Sequence, residues 1–119
     1  MLVLGLLAGC SASPALPDRG ESAVQAEEQR VAELMEDATW IESASCKARL
    51  LRQEGDVSWA WVLCTGESDG VEQGVSVPVR VDGNQVRQPA AGTYADDVRD
   101  LFPADLTAAV LASAETLKP

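Results

Sequence analysis

Three cysteines, three tryptophans and no histidine set the chemistry open to this chain. Without histidine there is no Ser-His-Asp or Cys-His relay. The usual near-neutral general base, which is also the commonest metal ligand, is missing too. Zinc hydrolases, redox copper sites and histidine-ligated haem are thereby disfavoured. The cysteines, Cys10, Cys46 and Cys64, have the spacing of neither a CxxC redox motif nor a zinc knuckle. Carboxylates remain. Asp96, Asp97 and Asp100 crowd one helical turn, with Asp96 and Asp100 on one face at i, i+4. Glu67, Asp69 and Glu72 share a glycine-flanked stretch. Calcium takes about 6–8 oxygens from a loop wrapped around it, and neither group has that spacing. Negative charge at a helix N-terminus explains the first group, and a solvated loop the second. A glycosidase needs two facing carboxylates, and no pair singles itself out in so short a chain. The expectation is a protein that is not an enzyme and carries no metal or cofactor.

Trp59 and Trp61 alternate along one segment and so point the same way. Paired aromatics can form a platform for a glycan or another small ligand, with Arg49 and Tyr94 as the polar additions to that surface. The plainer reading is that both indoles are large core residues under a helix.

The start of the chain says more. Met1 to Ala8 are apolar or glycine throughout, too short a run for a membrane span of about 20 residues. They fit the apolar core of an export signal, which runs about 7–15 residues. The run ends Leu7-Ala8-Gly9-Cys10, an aliphatic residue, two small residues and a cysteine. This resembles the lipobox of bacterial lipoproteins. The resemblance implies diacylglycerol on the Cys10 thiol and cleavage just before it. It divides the chain into a signal segment (1–9), a lipidated cysteine with a flexible tether (10–20) and a single globular domain (21–119). The tether, Ser11 to Gly20, carries Pro14 and Pro17, which suit a semi-extended spacer. No Lys or Arg precedes Arg19, so the basic start of the signal is expected upstream of Met1. The localisation implied is the outer face of a bacterial cytoplasmic membrane. Lys occurs only at 47 and 118 while Arg and Ala are frequent, a composition that points to a GC-rich genome, and with the lipoprotein resemblance the expected host is Gram-positive.

Once Cys10 is assigned to lipid, Cys46 and Cys64 remain, and an oxidising compartment joins such a pair as a disulfide. The strand pattern agrees. Ser45–Arg52 and Val57–Thr65 flank Gln53-Glu54-Gly55-Asp56, a turn with Gly for positive φ. With Arg52 facing Ser58, Leu50 faces Ala60, Ala48 faces Val62 and Cys46 lies opposite Cys64. The other face then carries Lys47, Arg49 and Leu51 against Leu63, Trp61 and Trp59, with Arg49 placed to stack on Trp61.

The net charge of −10, from 19 acidic and 9 basic residues, excludes the basic face that nucleic acid demands. It also opposes contact with anionic lipid through the protein surface. The expected partners are the membrane, through acyl chains on Cys10, and another envelope protein.

The elements follow from hydrophobic period. Ser22-Ala-Val-Gln25 has the pattern of a capping box opening a helix to Ala38, with Val24, Val31, Leu34, Met35 and Ala38 as its apolar stripe. Val75, Val77, Val79 and Val81 alternate with polar residues in a half-buried strand, and Pro78 puts that strand at an edge or bulge. Asp82-Gly83-Asn84 turns into a short fourth strand, Gln85–Gln88, and Gly66–Gly74 is expected as a flexible acidic loop between two hairpins. Thr93-Tyr94-Ala95-Asp96 resembles a second capping box, ahead of an apolar stripe at Tyr94, Val98, Leu101 and Phe102. Pro103 then opens a last helix bearing Leu106, Val110, Leu111 and Leu117. The fold class is α+β: an N-terminal helix, a four-stranded antiparallel sheet and two short C-terminal helices, with the helices on one face. That order loosely resembles cystatin-like or NTF2-like domains and transfers no function.

Overall fold

The computed structural model describes residues 14–119. Its elements are a helix α1 (Ser22–Ala38), four strands β1 (Ser45–Glu54), β2 (Val57–Ser68), β3 (Val71–Asp82) and β4 (Gln85–Arg87), and helices α2 (Tyr94–Leu101) and α3 (Ala104–Leu111). The strands form one antiparallel meander in the order β1-β2-β3-β4. The α+β class, the element order and the antiparallel sheet are those expected.

Helices cover both faces of the sheet, not one. On the first face Val31, Ala32 and Met35 of α1 pack over Cys46, Ala48, Ala60, Val62, Cys64 and the β3 valines. The small side chains there let the helix lie close. On the second face Val98 of α2, Phe102 just after it, Leu106 and Val110 of α3, and Leu117 beyond them pack on Leu51, Trp59 and Trp61. A strand whose two faces are both apolar needs a layer on each. The consecutive buried run Ser58 to Val62 in β2 shows this directly.

Three tight turns hold the meander. Gly55 and Gly83 take positive φ (58° and 61°) as first residues of two-residue connections, the type II′ pattern. Between β2 and β3, Asp69 and Gly70 are both left-handed (φ 54° and 79°), the type I′ pattern. Gly66–Gly74, expected as a loop, is therefore a hairpin. Its residues pair as Gly66 with Gln73, Glu67 with Glu72 and Ser68 with Val71. The Asp-Gly dipeptide drives the chain back on itself, so the acidic composition does not prevent pairing.

The first hairpin holds the register expected at its far end and departs from it near the turn. Cys46 faces Cys64 and Leu50 faces Ala60, but Arg52 faces Trp59, with a bulge between Leu50 and Arg52. A two-residue turn without a bulge would put Cys46 opposite Thr65, and the cysteines on opposite faces. The extra residue, Leu51, restores the pairing. It also turns Leu51 and Arg52 to the second face, where Leu51 is buried and Arg52 forks onto Asp105 of α3 at 2.8 and 2.6 Å.

Neither expected capping box forms. Glu21 is the residue ahead of α1, and Gln25 Nε2 donates to the Arg19 carbonyl instead (2.8 Å). At α2 it is Asp97, not Asp96, that serves: its carboxylate accepts from the Thr93 hydroxyl and the Ala90 amide, both at 2.8 Å. Those two donors hold the Asp97 carboxyl below its ordinary pKa, the Ala90 amide being the larger cause. Phe102, extended ahead of Pro103, ends α2, as the residue before a proline tends to do.

Candidate functional site

The expected disulfide is present. Cys46 and Cys64 are joined across β1 and β2 with Cα atoms 4.1 Å apart and both residues buried. The pair occupies a non-hydrogen-bonded position of the ladder, where facing side chains come closest. The Cys46 amide consequently points out of the sheet, and Glu36 of α1 accepts it at 3.0 Å. Two residues on, the Ala48 carbonyl accepts from Arg19 (3.3 Å), and then the Leu50 amide donates to Glu28 (2.8 Å). Arg19 also pairs with Glu28 at 3.1 Å. Side chains of α1 and of the segment before it thus lie along one edge of the sheet and take three of its outward backbone groups.

That segment is the C-terminal part of the expected tether. Leu16 packs against the second core cluster, and Arg19 is bound as just described, so the chain is attached to the domain from Leu16 onward. Cys10, the expected lipidation site, lies outside the described residues.

The tryptophan pair is core, the plainer of its two readings, and forms no platform at the surface. Trp59 and Trp61 are 6% and 3% exposed beneath α2, α3 and the C-terminal turn. Their indole N–H groups are used internally, Trp59 on the Leu101 carbonyl and Trp61 on the Ser76 hydroxyl, both at 2.7 Å. The cation over Trp61 is Lys118 (5.3 Å), not Arg49, and Arg80 lies over Trp59 (5.6 Å). Arg49 is half-buried opposite Trp61, its Nε without a hydrogen-bond partner among the described residues. Tyr94 is half-buried against the same cluster, and that burial raises its phenol pKa. The four residues gather on one side of the sheet as expected, but as core and its border. The cause is the second helical layer, which the one-face arrangement had left out.

The near end of the sheet is fastened by a polar cluster. Glu27 of α1 accepts from Arg30 (2.9 and 2.7 Å) and from the buried Ser58 hydroxyl (2.6 Å). Arg30 also donates to the Gly83 carbonyl at 2.8 Å. Glu27 and Arg30 line an open recess of about 260 Å³ with the two glycine turns. The Arg30 hydrogen bonds hold the Glu27 carboxyl below its ordinary pKa against the opposing effect of burial. Every polar group at this recess named here has a partner within the fold, which makes it a fastening.

The exposed apolar residues sit elsewhere. Trp40 is 65% exposed, Val71 58% and Leu63 37%. Trp40 lies two residues past the end of α1, and its neighbour Ile41 is buried against Gly66, where an added Cβ would lie 2.6 Å from Ile41 Cγ2. The loop after α1 therefore rests on the base of the β2–β3 hairpin. Beyond Thr65 that hairpin runs past the end of β1, carrying Glu67, Asp69 and Glu72, all exposed. Trp40 and this acidic hairpin share the end of the molecule that lies at the C-terminus of α1. Trp40 falls between two periodic segments, so hydrophobic period gave it no place. A tryptophan within Glu-Asp-Ala-Thr-Trp-Ile-Glu-Ser was the available signal.

Among the described residues no group of three or more His, Cys, Asp or Glu is arranged to hold a metal ion. No described helix is long and apolar enough to cross a membrane. No protein-family model, curated protein or solved structure matches the chain.

Proposed function

We propose that this chain is a bacterial lipoprotein, held at the outer face of the cytoplasmic membrane by diacylglycerol on Cys10, whose folded domain is a non-enzymatic interaction module for another envelope protein. The observation that carries this reading is the buried Cys46–Cys64 disulfide, since such bonds persist in oxidising, extracytoplasmic compartments. Together with Leu7-Ala8-Gly9-Cys10 it accounts for all three cysteines. The acidic surface supports anchorage through acyl chains over contact of the protein with anionic lipid.

The domain's build supports the interaction role. Both sheet faces are filled, and the tryptophan pair is packed within the fold. What the domain presents is an exposed tryptophan and an overhanging acidic hairpin, features of a surface that meets another molecule. In a Gram-positive host, Cys10→Ala should move the protein from the membrane fraction to the soluble fraction. A Cys10→Ala chain that stays membrane-bound to the wild-type extent overturns the anchor.

A further inference from the structure

The two edges of the sheet are treated differently. On β1 one outward backbone group of each of three residues is taken, the Cys46 amide by Glu36, the Ala48 carbonyl by Arg19 and the Leu50 amide by Glu28. On β3 the covering strand β4 pairs only with Arg80, Val81 and Asp82. The ladder alternates, so the β3 residues whose N–H and C=O point away from β2 are those in step with Arg80: Ser76, Gly74 and Glu72. Their outward amides have no hydrogen-bond partner among the described residues, and all three residues are exposed. Pro78, also in step, has no N–H to offer and ends the open stretch. What remains is about 13–17 Å of unpaired edge, the reach of a short strand.

The side chains beside this edge specify what fits it. Glu67 and Glu72 face each other directly across β2 and β3, at a closely spaced position of the ladder. Like charges so placed destabilise the pair, and no Lys or Arg among the described residues bridges either of them. On the opposite face the neighbours along the edge are the exposed Val71 and half-buried Val75.

We propose that the open edge of β3, from Glu72 to Ser76, receives an extended segment of a partner polypeptide as a fifth strand, with basic residues on the Glu72 face alternating with apolar residues on the Val71–Val75 face. Main-chain hydrogen bonds supply the docking and the Glu67–Glu72 pair supplies the charge preference. A second copy of this chain is the wrong occupant, because β3 against β3 brings further glutamates to an uncompensated pair. The inference rests on the interaction-module reading and names the chemistry of its partner.

The test uses the full 119-residue chain, isotope-labelled and held in zwitterionic micelles. The probe is a synthetic peptide of about eight residues alternating lysine and valine, near the usual strand length. Saturation should slow hydrogen exchange at Glu72, Gly74 and Ser76 about tenfold or more, while other edge amides stay unchanged. N-methylation of the peptide along the edge that meets β3 should abolish binding, and along its other edge should not. A glutamate–valine peptide should bind at least about tenfold more weakly, and Glu67→Gln with Glu72→Gln should weaken the lysine peptide similarly without moving the protected amides. Binding indifferent to N-methylation, equal affinity for both peptides, or protection elsewhere would overturn the proposal. So would no binding up to millimolar peptide, or protection of these amides by raising protein concentration alone. None of these readouts depends on acylation of Cys10, so failure here and failure of the anchor are separate results.

Discussion

Glu28, in the middle of α1, accepts the amide of Leu50 at 2.8 Å and the Arg19 guanidinium at 3.1 Å, and so fastens helix, edge strand and incoming chain at one carboxylate. It is 8% exposed, a burial that carboxylates tolerate only when paired. Glu28→Ala leaves the Leu50 amide without its acceptor and should lower unfolding free energy by about 1–3 kcal/mol. Urea denaturation measures it. Glu28→Gln keeps one acceptor oxygen and should lose less.

Removing the disulfide should be costly in the same assay. An 18-residue separation gives about 3 kcal/mol by loop entropy, and Cys46→Ala with Cys64→Ala should lose roughly 2–4 kcal/mol. In a domain this size that is a fall in Tm on the order of 10–20 °C. In the absence of reductant, neither cysteine of the wild-type protein should alkylate.

Acid should loosen the near end of the sheet. The folded Glu27 carboxyl titrates below its ordinary value, so it contributes stability that is present above the unfolded carboxylate pKa, about 4.3, and lost as pH falls through the lower folded value. Glu27→Gln should therefore be less stable than wild type at neutral pH. The two should converge as pH drops below the carboxylate range, and unfolding curves taken across that window test it.

At Gly66 the hairpin touches the loop after α1. An added Cβ at 2.6 Å from Ile41 Cγ2 and 3.3 Å from the Glu42 carbonyl must displace that loop. Gly66→Ala should cost about 1–3 kcal/mol, as overpacking does. Acrylamide quenching reads the loop directly. In the wild type only Trp40 should be open to quencher, and Trp40→Phe should leave the two protected indoles.

Much of this fold was legible because its signals are periodic. The α1 stripe gave Ser22–Ala38, the alternating valines gave β3, and counting back from Gly55 placed Cys46 opposite Cys64. The count reached the right pair through a wrong turn. It assumed a longer loop and no bulge, whereas a two-residue turn and an extra Leu51 offset each other. A bulge changes no residue type, so nothing in the pattern announces it. The Asp69-Gly70 turn is readable from its dipeptide, but the surrounding acid and glycine have the composition of a loop. Trp59 and Trp61 share a face in either arrangement. Whether that face is wet depends on where α2 and α3 fold, which is a tertiary fact with no local signature. The exposed aromatic turned out to be Trp40, which belongs to no periodic run.

The most direct test of the anchored-domain reading is the intact mass of the protein purified from membranes of a Gram-positive host. The expected chain begins at Cys10, carries a diacylglyceryl group on that residue and is two hydrogens lighter for the Cys46–Cys64 bond. A chain that retains residues 1–9 with an unmodified Cys10 thiol would contradict it.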